Sequence, residues 1–223
     1  MEFEDLEQNA KHNAISKYGE PPDDWYESVY SCYIGDKAVE AKGMLVENIQ
    51  YSGFYSQGDG ASWTGRVNTE NFIQHHVKPD HPDAGRYMAL LALIQEGWTD
   101  NGATIYDTSY MYIHSGCMKL EGIRFTADID ADDNEEVFTQ GIFQGAGING
   151  VARAIGVESL INDLEEWVLK EAKSLADEIY VALRDEYESY TSEETFKEII
   201  YINGWRFDSK GNLLTEEEVS HGI

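Results

Sequence analysis

Basic residues are scarce in this sequence: 16 Lys and Arg stand against 42 Asp and Glu, a formal net charge of −26. A chain of this size folds to a radius of gyration of about 17 Å and a long dimension of roughly 45 Å. Spread over that length, the excess amounts to about one negative charge per 1.7 Å, comparable to the axial charge density of duplex DNA. Such a surface repels nucleic acid and anionic membranes and attracts basic proteins. Solubility, or adaptation to high salt, is the competing account of the charge. Ten of the 16 basic residues are Lys and large apolar residues are plentiful, which argues against a halophile.

Cysteine is nearly absent as well. Cys32 and Cys117 make neither a disulfide framework nor a zinc site by themselves, and a reduced, cytoplasmic setting is the expectation. No run of about 18 apolar residues occurs, and the opening MEFEDLEQNAKHNA is acidic and helical in pattern, so neither a membrane span nor a secretory signal is expected. With 42% hydrophobic and 12% aromatic content the chain has the composition of a globular protein, not a disordered one. A single domain over residues 1–223 is expected, with the acidic, Gly-rich stretch 128–150 as a flexible connector within it.

Apolar periodicity supplies the elements. Residues 2–18 read as a helix stopped by Gly19 and Pro21-Pro22, and Asp23 or Asp24 caps a second helix through about Ile34. Leu45, Ile49, Tyr51 and Tyr55 alternate with polar residues, Glu47 being the exception, and Ala61, Trp63, Gly65 and Val67 do the same. These two runs flank YSGFYSQGDG and predict a β-hairpin whose tight turn places Asp59-Gly60 at positive φ. Asn68 or Thr69 caps a short helix, and GRYMALLALIQEG reads as a buried helix closed by Gly97. Residues 103–113 and 118–129 pair across HSGC, with a bulge at Gly122 where the apolar phase switches. The longest helix is expected from Val157 to Tyr190 on the stripe Leu160, Ile161, Leu164, Val168, Leu175, Ile179, Leu183 and Tyr187. Thr191 and Glu194 then form a capping box, and a hairpin turning at Lys210-Gly211-Asn212 follows the last helix. The fold class is therefore α+β: an antiparallel sheet from β-hairpins, packed by a long C-terminal helix and shorter helices.

No residue set announces a reaction. GAGING matches G-x-G-x-x-G at Gly145, Gly147 and Gly150, but no buried strand precedes it and no βαβ pattern surrounds it, so a connector is the better account. Asp128, Asp130 and Asp132 have the first spacings of a calcium loop, yet Asp133 replaces its Gly and Thr139 its final Glu. His75, His76 and His81, with Asp80 and Asp83, could form a metal cluster, but adjacent histidines point different ways on a helix and no Cys or Glu completes a tetrahedral set; G-x-S-x-G does not occur. No cofactor, metal or catalytic residue is expected.

YSGFYSQGDGA, at Tyr51 to Ala61, and the later stretch from Ala182 to Asn212, with LRDEYESYTSEE and GWRFDSKGN, resemble a family of small bacteriophage and prophage proteins sometimes labelled antitoxin-like. The resemblance covers under a third of the chain. It implies a setting, phage genes acting inside bacteria, and no catalytic residues. With the charge, it points to an acidic, non-enzymatic inhibitor of a basic host or defence protein with a nucleic-acid-binding groove, of anti-CRISPR or anti-restriction type, acting by nucleic-acid mimicry. An antitoxin neutralising a basic toxin and a small metal-dependent hydrolase are the alternatives, and a homo-oligomer stays open. The candidate contact residues are Tyr55, Gln57 and Asp59 in the hairpin and Asp130, Asp132, Asp133, Glu135 and Glu136 in the acidic cluster.

Overall fold

The computed structural model describes residues 1–108, 113–126 and 136–215. Its helices are α1 (Gln8–Tyr18), α2 (Glu27–Ser31), α3 (Lys37–Ala41), α4 (Thr69–His76), α5 (Ala84–Gln95), α6 (Ile148–Ile155), α7 (Val157–Tyr190) and α8 (Glu193–Asn203). Four strands, β1 (Met44–Tyr51), β2 (Ala61–Val67), β3 (Ala103–Asp107) and β4 (Met118–Glu121), make one antiparallel sheet in the order β1-β2-β3-β4. With α7 packed on the sheet, the fold is α+β. The chain divides into two compact units, Tyr30–Tyr180 and the paired segments Met1–Val29 and Val181–Ile223. Residues 157–180 of α7 belong to the first and 181–190 to the second.

In the larger unit the β1–β2 pairing carries a bulge between Val46 and Asn48. Glu47 is the extra residue, which is why it breaks the alternation: Met44 and Val46 are buried before the bulge, Ile49 after it. Gly65 sits opposite, where a Cβ would lie 2.0 Å from the Leu45 carbonyl oxygen, so the two backbones meet at a distance only glycine permits. On the core face, Trp63 is fully buried and donates its indole N–H to the Ala172 carbonyl of α7 at 2.9 Å. The α7 stripe Leu160, Ile161, Leu164, Val168, Leu175 and Ile179 is buried, and α5 adds Leu90, Leu91, Leu93 and Ile94. On the solvent face, Arg66, Thr104 and Glu121 pair in register and are all exposed.

In the smaller unit, Phe3, Leu6, Ala10 and Ala14 pack with Phe196, Ile200 and Phe207. The N-terminal ammonium donates to the Phe207 carbonyl at 2.7 Å, and Phe3 meets Phe196 edge-on at 5.4 Å. Leu183 of α7 is buried here and Tyr187 meets Trp25 edge-on at 5.5 Å. The closing hairpin is present as a single Phe207–Leu213 bridge, with Gly211 at φ +83°.

Several boundaries differ from expectation for identifiable reasons. The first helix begins at Gln8, because residues 3–5 form a separate single turn and Leu6 is extended. The second is only α2, Glu27–Ser31. Gly122, at φ +118°, ends β4 instead of forming a bulge within a longer strand, and among the described residues beyond it Phe125 makes an isolated bridge to Thr99. Ser192, not Thr191, caps α8 by accepting from the Thr195 N–H, while the Thr191 hydroxyl donates back to the Tyr187 carbonyl. Of the stretch 128–150, the described part 136–150 is folded: Phe138 is fully buried and exchanges main-chain bonds with Ala146 and Gly145.

Candidate functional site

The loop between β1 and β2, residues 52–60, is held from within. The Ser52 N–H donates to the Gly60 carbonyl at 3.1 Å, and the Ser52 hydroxyl bonds the Ile113 carbonyl at 2.9 Å while accepting from the Gly60 N–H at 3.3 Å. Asp59 accepts the Ser56 N–H through Oδ2 at 2.6 Å, and its own N–H returns to the Ser56 carbonyl at 3.1 Å. Phe54 stacks between Tyr51 at 5.5 Å and Tyr180 of α7 at 5.7 Å. The loop is thus braced at its aromatic end and closed at its polar end. Tyr55 emerges 71% exposed, with Gln57 exposed beside it, whereas Asp59 is half-buried and spends a carboxylate oxygen inside the loop.

The tight Asp59-Gly60 turn is not what the loop contains. Positive φ falls at Gly53 (+122°) and Gly58 (+94°), not at Gly60. Gly60 is required for a different reason: a Cβ there would lie 2.6 Å from the His114 Cβ and 2.9 Å from its Cα. The loop base therefore rests on the turn Ser115–Cys117 that leads into β4.

That turn brings together side chains that the sequence reading took only as a connection. Gly116 N–H donates to His114 Nδ1 at 3.1 Å, and His114 Nε2 lies 3.3 Å from Cys117 Sγ. Both the N–H and the hydroxyl of Thr108 bond the Cys117 carbonyl. Ser62, buried in β2, donates to the Asp107 carboxylate. The available signal was the His and Cys three residues apart around a glycine; proximity to the hairpin base needed the tertiary fold.

The other candidates disperse. Asp128, Asp130, Asp132, Asp133 and Glu135 lie outside the described residues; Glu136 is exposed and its carbonyl accepts from Ile148 N–H. His81 stacks on Trp167 at 5.5 Å and His76 on Phe72 at 4.3 Å. Burial, chiefly, holds the His76 imidazole below its ordinary range, with His75 adding to the effect. These are packed rings. Among the described residues no group of three or more His, Cys, Asp or Glu is placed to hold a metal ion. Gly147 is the N-cap of α6 and Gly150 lies inside that helix; among the described residues only a Val137–Gly147 bridge precedes it, which is not the strand–turn–helix frame of a phosphate-binding loop. Along α7 the exposed Glu166 and Asp177 share a shallow groove with Lys170 and Lys173, so this part of the helix presents mixed charge. A cavity of about 670 Å³ opens at the far end of the sheet, where Arg66 and Arg124 meet Asn68, Asn71, Asn101 and Glu121.

Residues 25–193, more than half of the chain and inclusive of both the hairpin loop and the His114–Cys117 turn, match a described family. The chain belongs to the family Domain of unknown function (DUF8835). The DUF8835 match ends where α8 begins and supplies no activity. No curated protein and no solved structure matches the chain. No described helix is long and apolar enough to cross a membrane.

Proposed function

We propose that this chain acts by occupancy and not by catalysis: it is an acidic inhibitor that covers the nucleic-acid-binding groove of a basic host or defence protein, in the bacterial setting that its resemblance to phage proteins implies. The observation that carries this reading is Tyr55, 71% exposed on a loop locked by the Tyr51–Phe54–Tyr180 stack and by Asp59. A rigidly presented tyrosine offers large contact area at little entropic cost, and such residues dominate the energetics of protein interfaces. The net charge of −26 supplies the long-range part. It steers a basic partner into encounter and sets orientation, while the aromatic contact holds the complex.

The mixed charge along α7 bears on where the partner sits. Lys170 and Lys173 beside Glu166 and Asp177 weaken that face as a continuous negative row. The working surface is therefore assigned to the hairpin loop together with the acidic cluster at Asp130, Asp132, Asp133, Glu135 and Glu136. The test is capture of partners from bacterial lysate on the immobilised chain, alongside Tyr55→Ala and a variant with those five acids changed to Asn or Gln. A captured basic protein that is lost from both variants and released by salt supports the reading. Equal capture by all three chains contradicts it, and recovery of a basic toxin without a nucleic-acid site favours the antitoxin alternative.

A further inference from the structure

We propose that the cavity of about 670 Å³ at the end of the sheet binds a basic amino acid, free or as the C-terminal residue of a peptide, with its carboxylate on Arg124 and its cationic side chain on Glu121. Small-molecule sites run from about 300 to 1,000 Å³, so the volume is suitable. None of the hairpin-loop residues 52–60 lines the cavity, which makes it separate from the loop assigned to the partner protein. Its donors are set by the fold. Asn68 Oδ1 accepts from the Asn71 N–H at 2.8 Å, and Asn101 Oδ1 from the Glu70 N–H at 3.0 Å. Both side-chain oxygens are thereby spent on the first turn of α4, and each amide is left with its NH2 to offer. Arg66 gives Nε to Glu47 at 2.7 Å and retains its terminal nitrogens. Among the described residues Arg124 has no side-chain hydrogen bond or ion pair, in a chain with 42 acids against 16 basic residues.

The carboxylates of the cavity stand apart from these donors. Arg66, Thr104 and Glu121 are successive partners across β2, β3 and β4, so Arg66 and Glu121 lie two strand spacings apart, about 10 Å, with Thr104 between them. The Arg124 carbonyl accepts from the Asp100 N–H at 3.0 Å, which ties the segment after β4 to the one before β3. Neither Asp100 nor Glu121 has a side-chain partner among the described residues. The wall thus offers unmet charge of both signs in separate places. An anion would satisfy only the donors and would enter against a net charge of −26, and a simple cation would leave Arg124 unmet. A ligand whose carboxylate and cation are held apart meets both, and the side-chain stem of lysine or arginine holds them so. Thr69 and Thr99, each next in sequence to a wall residue, add buried hydroxyls without a partner, so this end of the sheet has polar capacity that the fold does not use.

The test is calorimetric titration of the full chain at physiological ionic strength, where attraction to the acidic surface at large is screened. L-lysine, L-arginine and the tripeptide Gly-Gly-Lys carry both groups; lysinamide lacks the carboxylate, and norleucine lacks the side-chain ammonium. Saturable 1:1 binding is expected for the complete probes, with the incomplete ones about tenfold weaker than lysine, the scale of a charge-assisted hydrogen bond. Arg124→Gln should abolish the preference for lysine over lysinamide, and Glu121→Gln the preference for lysine over norleucine. Both side chains are exposed, and circular dichroism checks that each variant is folded. Tighter binding of Gly-Gly-Lys than of lysine assigns the site to a peptide C-terminus, and the reverse assigns it to the free amino acid. Absence of saturable binding by all three complete probes, equal binding of lysine and lysinamide, or a folded Arg124→Gln variant that binds lysine as its parent does overturns the proposal.

Discussion

Trp63 of β2 donates its indole N–H to the main-chain carbonyl of Ala172 in α7, 2.9 Å away and fully buried. One polar atom on an otherwise apolar side chain thus fixes both the position of the long helix over the sheet and the rotation of the ring. The contact also explains why the hairpin loop is rigid: with α7 held on β2, Tyr180 is placed to stack on Phe54.

Replacing Trp63 separates the two contributions. Trp63→Phe keeps most of the apolar area but removes the indole donor and opens part of a ring's volume, while the Ala172 carbonyl keeps its place in the α7 ladder, with an expected loss of about 1–2 kcal/mol. Trp63→Ala should lose about 3–5 kcal/mol. Urea unfolding followed by tryptophan fluorescence and circular dichroism measures both, and a Trp63→Phe variant as stable as its parent would show that the bond adds nothing.

Glycine substitutions should split by sign. Gly60→Ala drives a methyl into His114, and Gly65→Ala drives one into the Leu45 carbonyl, so each should destabilise by about 1–3 kcal/mol or more. Gly85, in the first turn of α5, has open space around its would-be Cβ and no positive φ, so Gly85→Ala should stabilise by about 0.5–1 kcal/mol. Thermal unfolding of the three variants decides the matter. Gly60 is not at positive φ, so the expected loss in Gly60→Ala is assigned to its contact with His114 and not to the dihedral.

How far the sequence disclosed this molecule depends on the range of the interactions concerned. The helix Val157–Tyr190 was legible to its ends because its apolar stripe repeats over many turns. The β1–β2 hairpin was legible from alternation. Glu47, the exception in that alternation, marked a bulge, but its partner Gly65 was readable only as one more glycine because the clash it avoids is across the sheet. Asp59-Gly60 carries the local signature of a two-residue turn, and the loop overrides it with contacts to Ser52, Ser56 and His114 that lie up to 54 residues away. For the same reason the contact of His114 with the hairpin was not legible, since Gly60 lies 54 residues away along the chain.

The segment after residue 136 should come loose in acid. Glu96 accepts from the Thr139 hydroxyl through both oxygens and from the Thr139 and Gln140 N–H groups at 3.0 and 2.9 Å. The Thr139 hydroxyl, first, and these two amides hold the Glu96 carboxyl below its ordinary range. A carboxylate with a depressed folded value stabilises above its unfolded value and loses that contribution as the pH falls through the folded one. Hydrogen-exchange protection at Thr139 and Gln140 should therefore hold near neutrality and collapse in acid, below the ordinary glutamate range. In Glu96→Gln the protection should be weaker and free of that acid step. A step that survives the substitution would assign it to another group.

The inhibitor reading predicts that binding weakens steeply with salt, since exposed charges are screened beyond about 8 Å at physiological ionic strength. Neutralising Asp130, Asp132, Asp133, Glu135 and Glu136 should reduce the slope of that dependence as well as the affinity. An equal number of neutralisations in the tail, at Glu216, Glu217, Glu218 and two exposed acids of α7, Glu158 and Asp163, serves as the matched control. If cluster and control variants lose affinity equally, charge acts only in bulk.

The most direct measurement is competition. The captured partner is mixed with a labelled oligonucleotide that it binds, and the wild-type chain and Tyr55→Ala are titrated in at constant ionic strength. The account predicts that the wild type displaces the oligonucleotide stoichiometrically and that Tyr55→Ala does so at least tenfold less well, as removal of a central aromatic contact implies. Simultaneous binding of chain and oligonucleotide to the same partner would contradict it.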